Sequence, residues 1–191
     1  MIVKILSSAS SFSGVGYNEE KVERGTARLL AAENFGMLDM ERLVNSTADI
    51  KAYLQLWSKS ANNERKVHRP QFHAVISCKG HAMEGEELLR MAEQYLQRMG
   101  YSQNPYLIYL HSDTVNNHVH IVSSRVDSEG RKIDDSFERR RSQDIIREIS
   151  QSIEVQEQPE QSAAAGLLGL IASAARKQEE EPLRRKRKLN R

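Results

Sequence analysis

The segment "PYLIYLHSDTVNNHVHIVSSRV", residues 105–126, carries the strongest structural signal in the chain. Two apolar runs, "PYLIYLH" and "HVHIVSSRV", flank the polar loop "SDTVNN". Runs of this kind at this separation predict an antiparallel hairpin. Because residues i and i+2 of a strand point to the same face, His118 and His120 project side by side. Val119 and Ile121 then point into the core.

Three of the six histidines lie in this hairpin. His111 ends the first strand, so it lies beside the start of the second. Three neutral imidazoles suit a divalent transition metal and leave coordination positions open, which is typical of a catalytic site. We therefore predict that His111, His118 and His120 bind one divalent ion. Asp113 is a candidate to accept an N–H from a ligating imidazole, and a turn-forming aspartate is the equal alternative.

Two further strands and four helices are predicted along the chain. "MIVKIL" and "PQFHAVISC" are typical of strands, and His73 in the second lies on the face opposite Phe72, Ala74 and Ile76, where it is a further candidate to line the site. The predicted helices are "NEEKVERGTARLLAAENF" with Asn18 as N-cap, "STADIKAYLQLWSKS" opened by Ser46 or Thr47, "EGEELLRMAEQYLQRMG" ended by Gly100, and "SFERRRSQDIIREISQSI".

This order of elements predicts an α+β fold with a mostly antiparallel central sheet and helices packed on one face. The other face is then free for function. From about residue 156 the composition shifts to Gln, Glu, Ala and Arg. We therefore predict one domain over residues 1–155 and a helical or disordered basic tail over residues 156–191, which includes the candidate helix "AAAGLLGLIASAARK".

Composition excludes several classes of protein. Cys78 is the only cysteine of the 191 residues, so intrachain disulfides and thiolate metal clusters are excluded. No apolar run approaches the roughly 20 residues of a membrane span, and the N-terminus is a poor secretory signal, so we expect a cytoplasmic protein without membrane contact. The blocks "FERRRSQDIIR" and "LRRKRKLNR" are basic, which favours nucleic acid as the partner.

With the histidine cluster in view, the chain resembles the mobilisation relaxases, the MobA/VirD2-like, HUH-type nucleases that nick plasmid or transposon DNA at an origin of transfer. The resemblance rests on His111, the aspartate two residues later and the His–hydrophobic–His of "HSDTVNNHVHIVSSRV". Three further stretches agree in order, "GYNEEKVERGTARLLAAENF", "FHAVISCKG" and "DSFERRRSQDIIREI". The agreement covers about residues 1–150.

The resemblance also implies a catalytic mechanism. The catalytic residue of these enzymes is a tyrosine near the N-terminus, and Tyr17 occupies that place. Tyr17 would attack single-stranded DNA to give a 5′-phosphotyrosine and a free 3′-hydroxyl, with Mg²⁺ or Mn²⁺ as the usual ion, although three imidazoles also suit Zn²⁺ or Ni²⁺. Accessory mobilisation proteins are expected partners. Candidate phosphate contacts are Arg125, Lys132, Arg139, Arg140 and Arg141.

Two alternatives stay open at this point. A metal phosphodiesterase that activates water would use the same histidines but would not need Tyr17. A non-catalytic module that binds single-stranded nucleic acid would use exposed aromatic residues on its strands, for which Tyr106 and Tyr109 are the hints, and would not need the histidines.

Overall fold

The structure is a computed structural model that describes residues 1–36, 46–59, 67–78 and 83–153. Its strands are β1 (Ile2–Ile5), β2 (Ala27–Glu33), β3 (Gln71–Ser77), β4 (Tyr106–His111) and β5 (His118–Ser124). Its helices are α1 (Ser13–Glu23), α2 (Thr47–Trp57), α3 (Gly85–Met99) and α4 (residues 138–153). Met1–Ile149 form one compact unit. Of the second unit, Ser150–Arg191, residues 150–153 are described and are helical.

The five strands form one sheet in the order β1-β3-β5-β4-β2, and every pairing is antiparallel. The hairpin strands β4 and β5 are neighbours, with His111 directly opposite His118 and Tyr109 opposite His120. On its other side β5 pairs with β3. The predicted hairpin and the α+β class with an antiparallel sheet are confirmed.

The helices cover one face fully and the other in part. Val119, Ile121, Ala74 and Ile76 are all fully buried, on the face away from the histidines. On this side the amphipathic helix α3 buries one stripe of side chains (Leu88, Met91, Ala92, Tyr95, Leu96 and Met99). The Tyr95 hydroxyl joins α3 to α4 through a 2.6 Å hydrogen bond with Ser142.

The face that carries the histidines is not left wholly free, contrary to the expectation from the sequence. α1 and α2 pack on its far part, where Phe12, Val15, Ile50 and Leu54 bury Leu107, Tyr109 and Val122 in a common core cluster. The apolar i, i+3, i+4 stripe of α2 requires such a partner surface. α1 also lies beside the histidines on this face, where Asn18 contacts His111.

One predicted helix is replaced by a helix and a strand. "NEEKVERGTARLLAAENF" divides at Gly25, which has φ +70°. The amide of Gly25 donates to Val22 O and that of Thr26 to Lys21 O, the pair of bonds that ends a helix in a Schellman motif. The helix begins earlier than expected, at Ser13, so Asn18 is an interior residue of α1 and not its N-cap. The residues after Gly25 form the edge strand β2, paired with β4.

The remaining predicted helices agree with the structure. Ser46 is the N-cap of α2, and its hydroxyl accepts from the amide of Asp49. Gly100 ends α3 in the left-handed conformation at φ +86°. His81 and the whole predicted tail over residues 156–191, including "AAAGLLGLIASAARK", lie outside the described residues. No helix in the described ranges is long and apolar enough to cross a membrane.

Candidate metal and nucleophile site

The hairpin brings its three histidines together at the loop end of β4 and β5. One nitrogen from each ring of His111, His118 and His120 lies within 4.8 Å of a nitrogen of the other two. The His111 and His120 rings are stacked with centroids 4.1 Å apart, because diagonal neighbours on paired strands approach closely. The centroid of the His118 ring lies 5.2 Å from that of His111 and 5.4 Å from that of His120.

The partner of His111 determines which of its nitrogens is free. The Asn18 amide donates its Nδ2–H to Gly14 O at 2.7 Å, so its Oδ1 faces His111 Nε2 as an acceptor, also at 2.7 Å. His111 must therefore carry its proton on Nε2, and Nδ1 keeps its lone pair. His111 is fully buried, and Nδ1 has no hydrogen-bond partner among the described residues. A buried nitrogen lone pair without a donor is what a metal ligand requires.

His118 is oriented in the same way, but by a backbone carbonyl oxygen. Its Nδ1 lies 3.2 Å from the carbonyl oxygen of Asn116, which can only accept, so the proton lies on Nδ1. Nε2 is then the nitrogen with a lone pair. Asp113 Oδ1 is 3.8 Å from this Nε2, beyond hydrogen-bond distance.

His73 orients the third imidazole. It lies on β3, it is 5 % exposed, and its Nε2 is 3.0 Å from Nδ1 of His120. If Nδ1 of His120 donates to His73, Nε2 of His120 has its lone pair directed to the cluster. The alternation of β3 predicted the correct face for His73 but could not predict this partner.

Burial keeps His111, His120 and His73 neutral at physiological pH. Burial, and next the electrostatic interaction with the neighbouring His118 ring, lower the pKa of His111 to about 4. Burial and the neighbouring His111 lower the pKa of His73 to about 4. The pKa of His120 is lowered to about 2 by burial and then by the surrounding imidazoles. Neutral imidazoles are the form that binds metal, so the lowered pKa values of His111 and His120 suit a site for a divalent ion.

Tyr17 projects from α1 over the same cluster. Its ring centroid lies 6.0 Å from that of His111 and 5.8 Å from that of His120. Its side chain is 47 % exposed, which leaves the phenol open to a ligand in solvent. Tyr17 lies inside α1 rather than at its start, and Gly14, one turn earlier, lets the helix approach the sheet. A Cβ at Gly14 would be 2.7 Å from Nδ1 of His73.

Asp113 contacts α1 as well as the cluster. Its Oδ2 accepts a 2.7 Å hydrogen bond from Nζ of Lys21, four residues after Tyr17 on the same helix. The side chains of Lys21 and Asp113 are 24 % and 22 % exposed. Sequence reasoning missed Lys21, although its i+4 spacing from Tyr17 was the signal that both side chains share one face of α1.

Arg125, the first of the predicted phosphate contacts, is buried in an ion pair. Arg125 is 4 % exposed, and its guanidinium donates two hydrogen bonds to the carboxylate of Glu138, at 2.5 and 2.8 Å. Arg125 follows β5 at the end away from His118, and it serves there to hold the start of α4. Its pairing and burial leave little surface for a phosphate.

The other four cations lie in or after the turn that follows Arg125. Lys132 is paired with Asp135 at 2.7 Å, and Arg141 contacts Asp134 at 3.3 Å. Arg139 and Arg140 are exposed on α4, and neither has an ion pair with the described residues. They are the members of the predicted set that are free to bind an anion.

Comparison with known proteins agrees with this geometry. The family profile described as "Relaxase: MobA/VirD2-like, nuclease domain" matches residues 17–155, most of the chain. The chain belongs to this family. No curated protein and no solved structure matches it. The matched range includes Tyr17, the histidine hairpin and the start of α4, so the site described above lies within the relaxase nuclease domain.

Proposed function

We propose that this relaxase domain nicks one strand of DNA at an origin of transfer by transesterification, with Tyr17 as the nucleophile and conjugative mobilisation as its role. The observation that carries the proposal is the position of Tyr17, an exposed phenol within 6.0 Å, between ring centroids, of two histidines of a metal-type cluster. A nucleophile beside a site for a divalent cation is the arrangement that phosphoryl transfer requires.

The other tyrosines are poor candidates for this role. Tyr95, Tyr101 and Tyr109 are fully buried, and Tyr106 is 8 % exposed. Burial raises the pKa of Tyr95 and of Tyr106 to about 12, and raises that of Tyr109 still further. A buried phenol with a raised pKa is neither accessible nor easily deprotonated. Tyr53 is half-buried and packs against Phe35 and Trp57.

The reaction exchanges one phosphodiester for another. The Tyr17 oxygen forms a bond to the scissile phosphorus, and the bond from phosphorus to the 3′-oxygen breaks. The phenol loses its proton and the departing 3′-oxygen gains one, so the products are a 5′-phosphotyrosine and a free 3′-hydroxyl. Water takes no part, and one phosphodiester bond replaces another. The same site can therefore catalyse the reverse reaction and rejoin a strand.

His111, His118 and His120 would hold the divalent ion that this family uses, with Mg²⁺ or Mn²⁺ the expected ion. When bound, such an ion polarises a non-bridging phosphate oxygen and offsets charge in the transition state. The chain contributes the three ring nitrogens described above. His73, Asn18 and the Asn116 carbonyl oxygen each contact one nitrogen of a ring, so the other nitrogen of each ring would be available to the ion.

The proposed partner is single-stranded DNA, with accessory mobilisation proteins recruiting the origin. Arg139 and Arg140, exposed on α4, are candidate phosphate contacts together with the exposed Lys132 and the partly exposed Arg141. Because Arg125 is buried in its pair with Glu138, we do not include it in this surface.

A test compares wild type with Tyr17→Phe on a labelled oligonucleotide that carries the origin sequence. The substitution removes one oxygen and keeps the ring, so we expect normal folding and metal binding but no cleavage and no covalent protein–DNA species. DNA affinity should change little, since phosphate contacts dominate it. Tyr53→Phe makes the same change on α2, outside the cluster, and should cleave like wild type.

The outcomes separate the rival functions. An adduct from Tyr17→Phe means that another residue attacks. Cleavage without an adduct in wild type identifies water as the nucleophile and favours a metal phosphodiesterase. Binding without cleavage in wild type, with metal present, favours a non-catalytic module.

A further inference from the structure

Lys21 is a cation fixed beside the candidate nucleophile. It lies four residues after Tyr17 on α1, so the two side chains leave the helix on the same face. Its Nζ lies 5.9 Å from the centroid of the Tyr17 ring. A flexible lysine chain on a helix normally has many rotamers, but here the ammonium is held by Asp113 Oδ2 at 2.7 Å.

Asp113 reaches across from the hairpin loop to make this contact. Of its two oxygens, Oδ2 bonds to Lys21 and Oδ1 lies 3.8 Å from His118 Nε2. The hydrogen bond therefore goes to the lysine, and no imidazole N–H of the three-histidine cluster is bonded to Asp113. The 2.7 Å separation of Lys21 Nζ and Asp113 Oδ2 is typical of a charge-assisted hydrogen bond between an ammonium and a carboxylate.

We propose that Lys21 is a catalytic residue whose ammonium contacts a non-bridging oxygen of the scissile phosphate, and that Asp113 is the residue that positions it. This inference rests on the proposed function of Tyr17. Attack requires the phosphorus about 3–3.5 Å from the Tyr17 oxygen. A phosphate in that position, between the ring and the solvent, comes within reach of the nearby ammonium.

Charge and donor geometry favour this role over a plain surface ion pair. An ammonium has three donors, and Asp113 occupies one, which leaves two for phosphate oxygens. Charge accumulates on the phosphate oxygens as the tyrosine oxygen attacks, so a cation already in place stabilises the transition state more than the bound substrate. An exposed ion pair that serves only stability contributes little to the fold, and its loss would not be expected to slow cleavage.

The first experiment measures single-turnover cleavage by the full chain at saturating oligonucleotide and Mn²⁺. We expect Lys21→Gln to lower the cleavage rate about 100-fold, in the range found for loss of one transition-state donor. DNA affinity should change less than about 3-fold, because the variant removes only one of several phosphate interactions. Lys21→Arg should restore part of the rate. Lys59→Gln removes an exposed lysine after α2, at the far end of the sheet, and should leave rate and affinity unchanged.

The second experiment removes the partner of Lys21 from the substrate. In an oligonucleotide with a methylphosphonate at the scissile position, one non-bridging oxygen is replaced by a methyl group, and the two stereoisomers are tested separately. With one isomer, the rates of wild type and Lys21→Gln should differ less than about 5-fold, since the oxygen that Lys21 contacts is absent. A difference of about 100-fold that persists with both isomers would overturn the contact.

The third experiment tests the positioning role of Asp113. We expect Asp113→Asn to lower the rate at saturating DNA without a matching rise in KM, and Asp113→Glu to recover part of it. In the Lys21→Gln background, Asp113→Asn should add little, because the two changes interrupt the same interaction. Additive losses would mean that Asp113 acts independently of Lys21.

These results are distinct from failure of the proposed function. If wild type forms no phosphotyrosine adduct, the role of Tyr17 fails first. If wild type forms the adduct and Lys21→Gln forms it at the same rate, only the role of Lys21 is overturned. Thermal denaturation of each variant identifies any that is unfolded, and Lys21→Arg then provides the comparison.

Discussion

At the scale of single residues, the site depends on how each imidazole is held. Two of the three rings contact an oxygen that can only accept, the Asn18 side chain for His111 and the Asn116 carbonyl for His118. Each contact places the proton on one nitrogen and leaves a lone pair on the other, as a metal ligand requires. His120 differs, because its partner is another imidazole that can donate or accept.

His73 therefore offers a sharp test at this scale. We expect His73→Leu to weaken the affinity for Mn²⁺ about 10–100-fold, the usual effect of losing the partner of a ligating histidine. His73→Gln, whose amide oxygen can accept from His120, should lose less. Competition with a chromophoric chelator measures the affinity directly.

Two further variants serve as controls for the measurement of Mn²⁺ affinity. The His111→Ala, His118→Ala, His120→Ala triple variant should bind no ion. His68→Leu, at an exposed histidine before β3, should bind like wild type. Unchanged affinity in His73→Leu would mean that His120 is oriented without His73.

At the scale of elements, α1 is the helix that lies beside the histidine cluster. It supplies Tyr17, Lys21 and Asn18 to one site, and it approaches β3 closely through Gly14. The Gly14 amide donates to Oε1 of Gln71 at 2.8 Å, and a Cβ at this position would meet both Gln71 and His73. α1 therefore packs directly against His73, the residue that is hydrogen-bonded to His120.

Gly14 and Gly16 form a matched pair for testing this close contact between α1 and β3. At Gly14, an added Cβ lies 2.7 Å from the buried His73 ring, which cannot move away. At Gly16, the added Cβ lies 2.5 Å from Nζ of Lys51, the end of a flexible side chain. We expect Gly14→Ala to lower the free energy of unfolding by about 1–3 kcal/mol through overpacking, and to slow adduct formation.

Gly16→Ala should instead be neutral or stabilising by up to about 1 kcal/mol, because alanine is the better helix former. Urea denaturation of the two variants measures both effects. Equal stability of Gly14→Ala and Gly16→Ala would show that the close approach of α1 to His73 does not constrain the helix.

At the scale of the whole molecule, the proposed catalytic residues belong to the compact unit Met1–Ile149, and the family match extends to residue 155. The boundary at residue 155 and the basic tail remain predictions from the sequence. The tail contains the run "RRKRK" at residues 184–188. Cations in such a run bind phosphates without sequence preference.

Removal of residues 156–191 tests that division. We expect the truncated protein to nick saturating substrate at a rate near that of wild type, while its DNA affinity falls less steeply with salt. For single-stranded DNA, the slope of log K against log salt concentration should decrease by about 0.7 for each phosphate that the tail neutralises in the full chain. Binding measured by fluorescence anisotropy over a range of salt gives this slope. Loss of nicking at saturation would place the boundary later in the chain.

The sequence by itself determined the parts of this protein that rest on local patterns. The alternation in residues 105–126 led to the hairpin and its three histidines, and the periodicity of α2 and α3 led to those helices. These predictions held because hydrophobic period and capping residues act over a few neighbours. The family resemblance then pointed to Tyr17, whose surroundings no local pattern specifies.

Only the tertiary structure decided what depends on distant partners. Ala27–Glu33 consists of residues that favour a helix, yet it is a strand because β4 offers a ladder of backbone hydrogen bonds and Gly25 ends the helix before it. From the sequence, Arg125 was a candidate phosphate contact, but it is buried and paired with Glu138. Asn18, His73 and Lys21 gain their roles from contacts 93, 47 and 92 residues away. Such pairings follow from strand order and helix docking, which bring together residues that no local spacing relates.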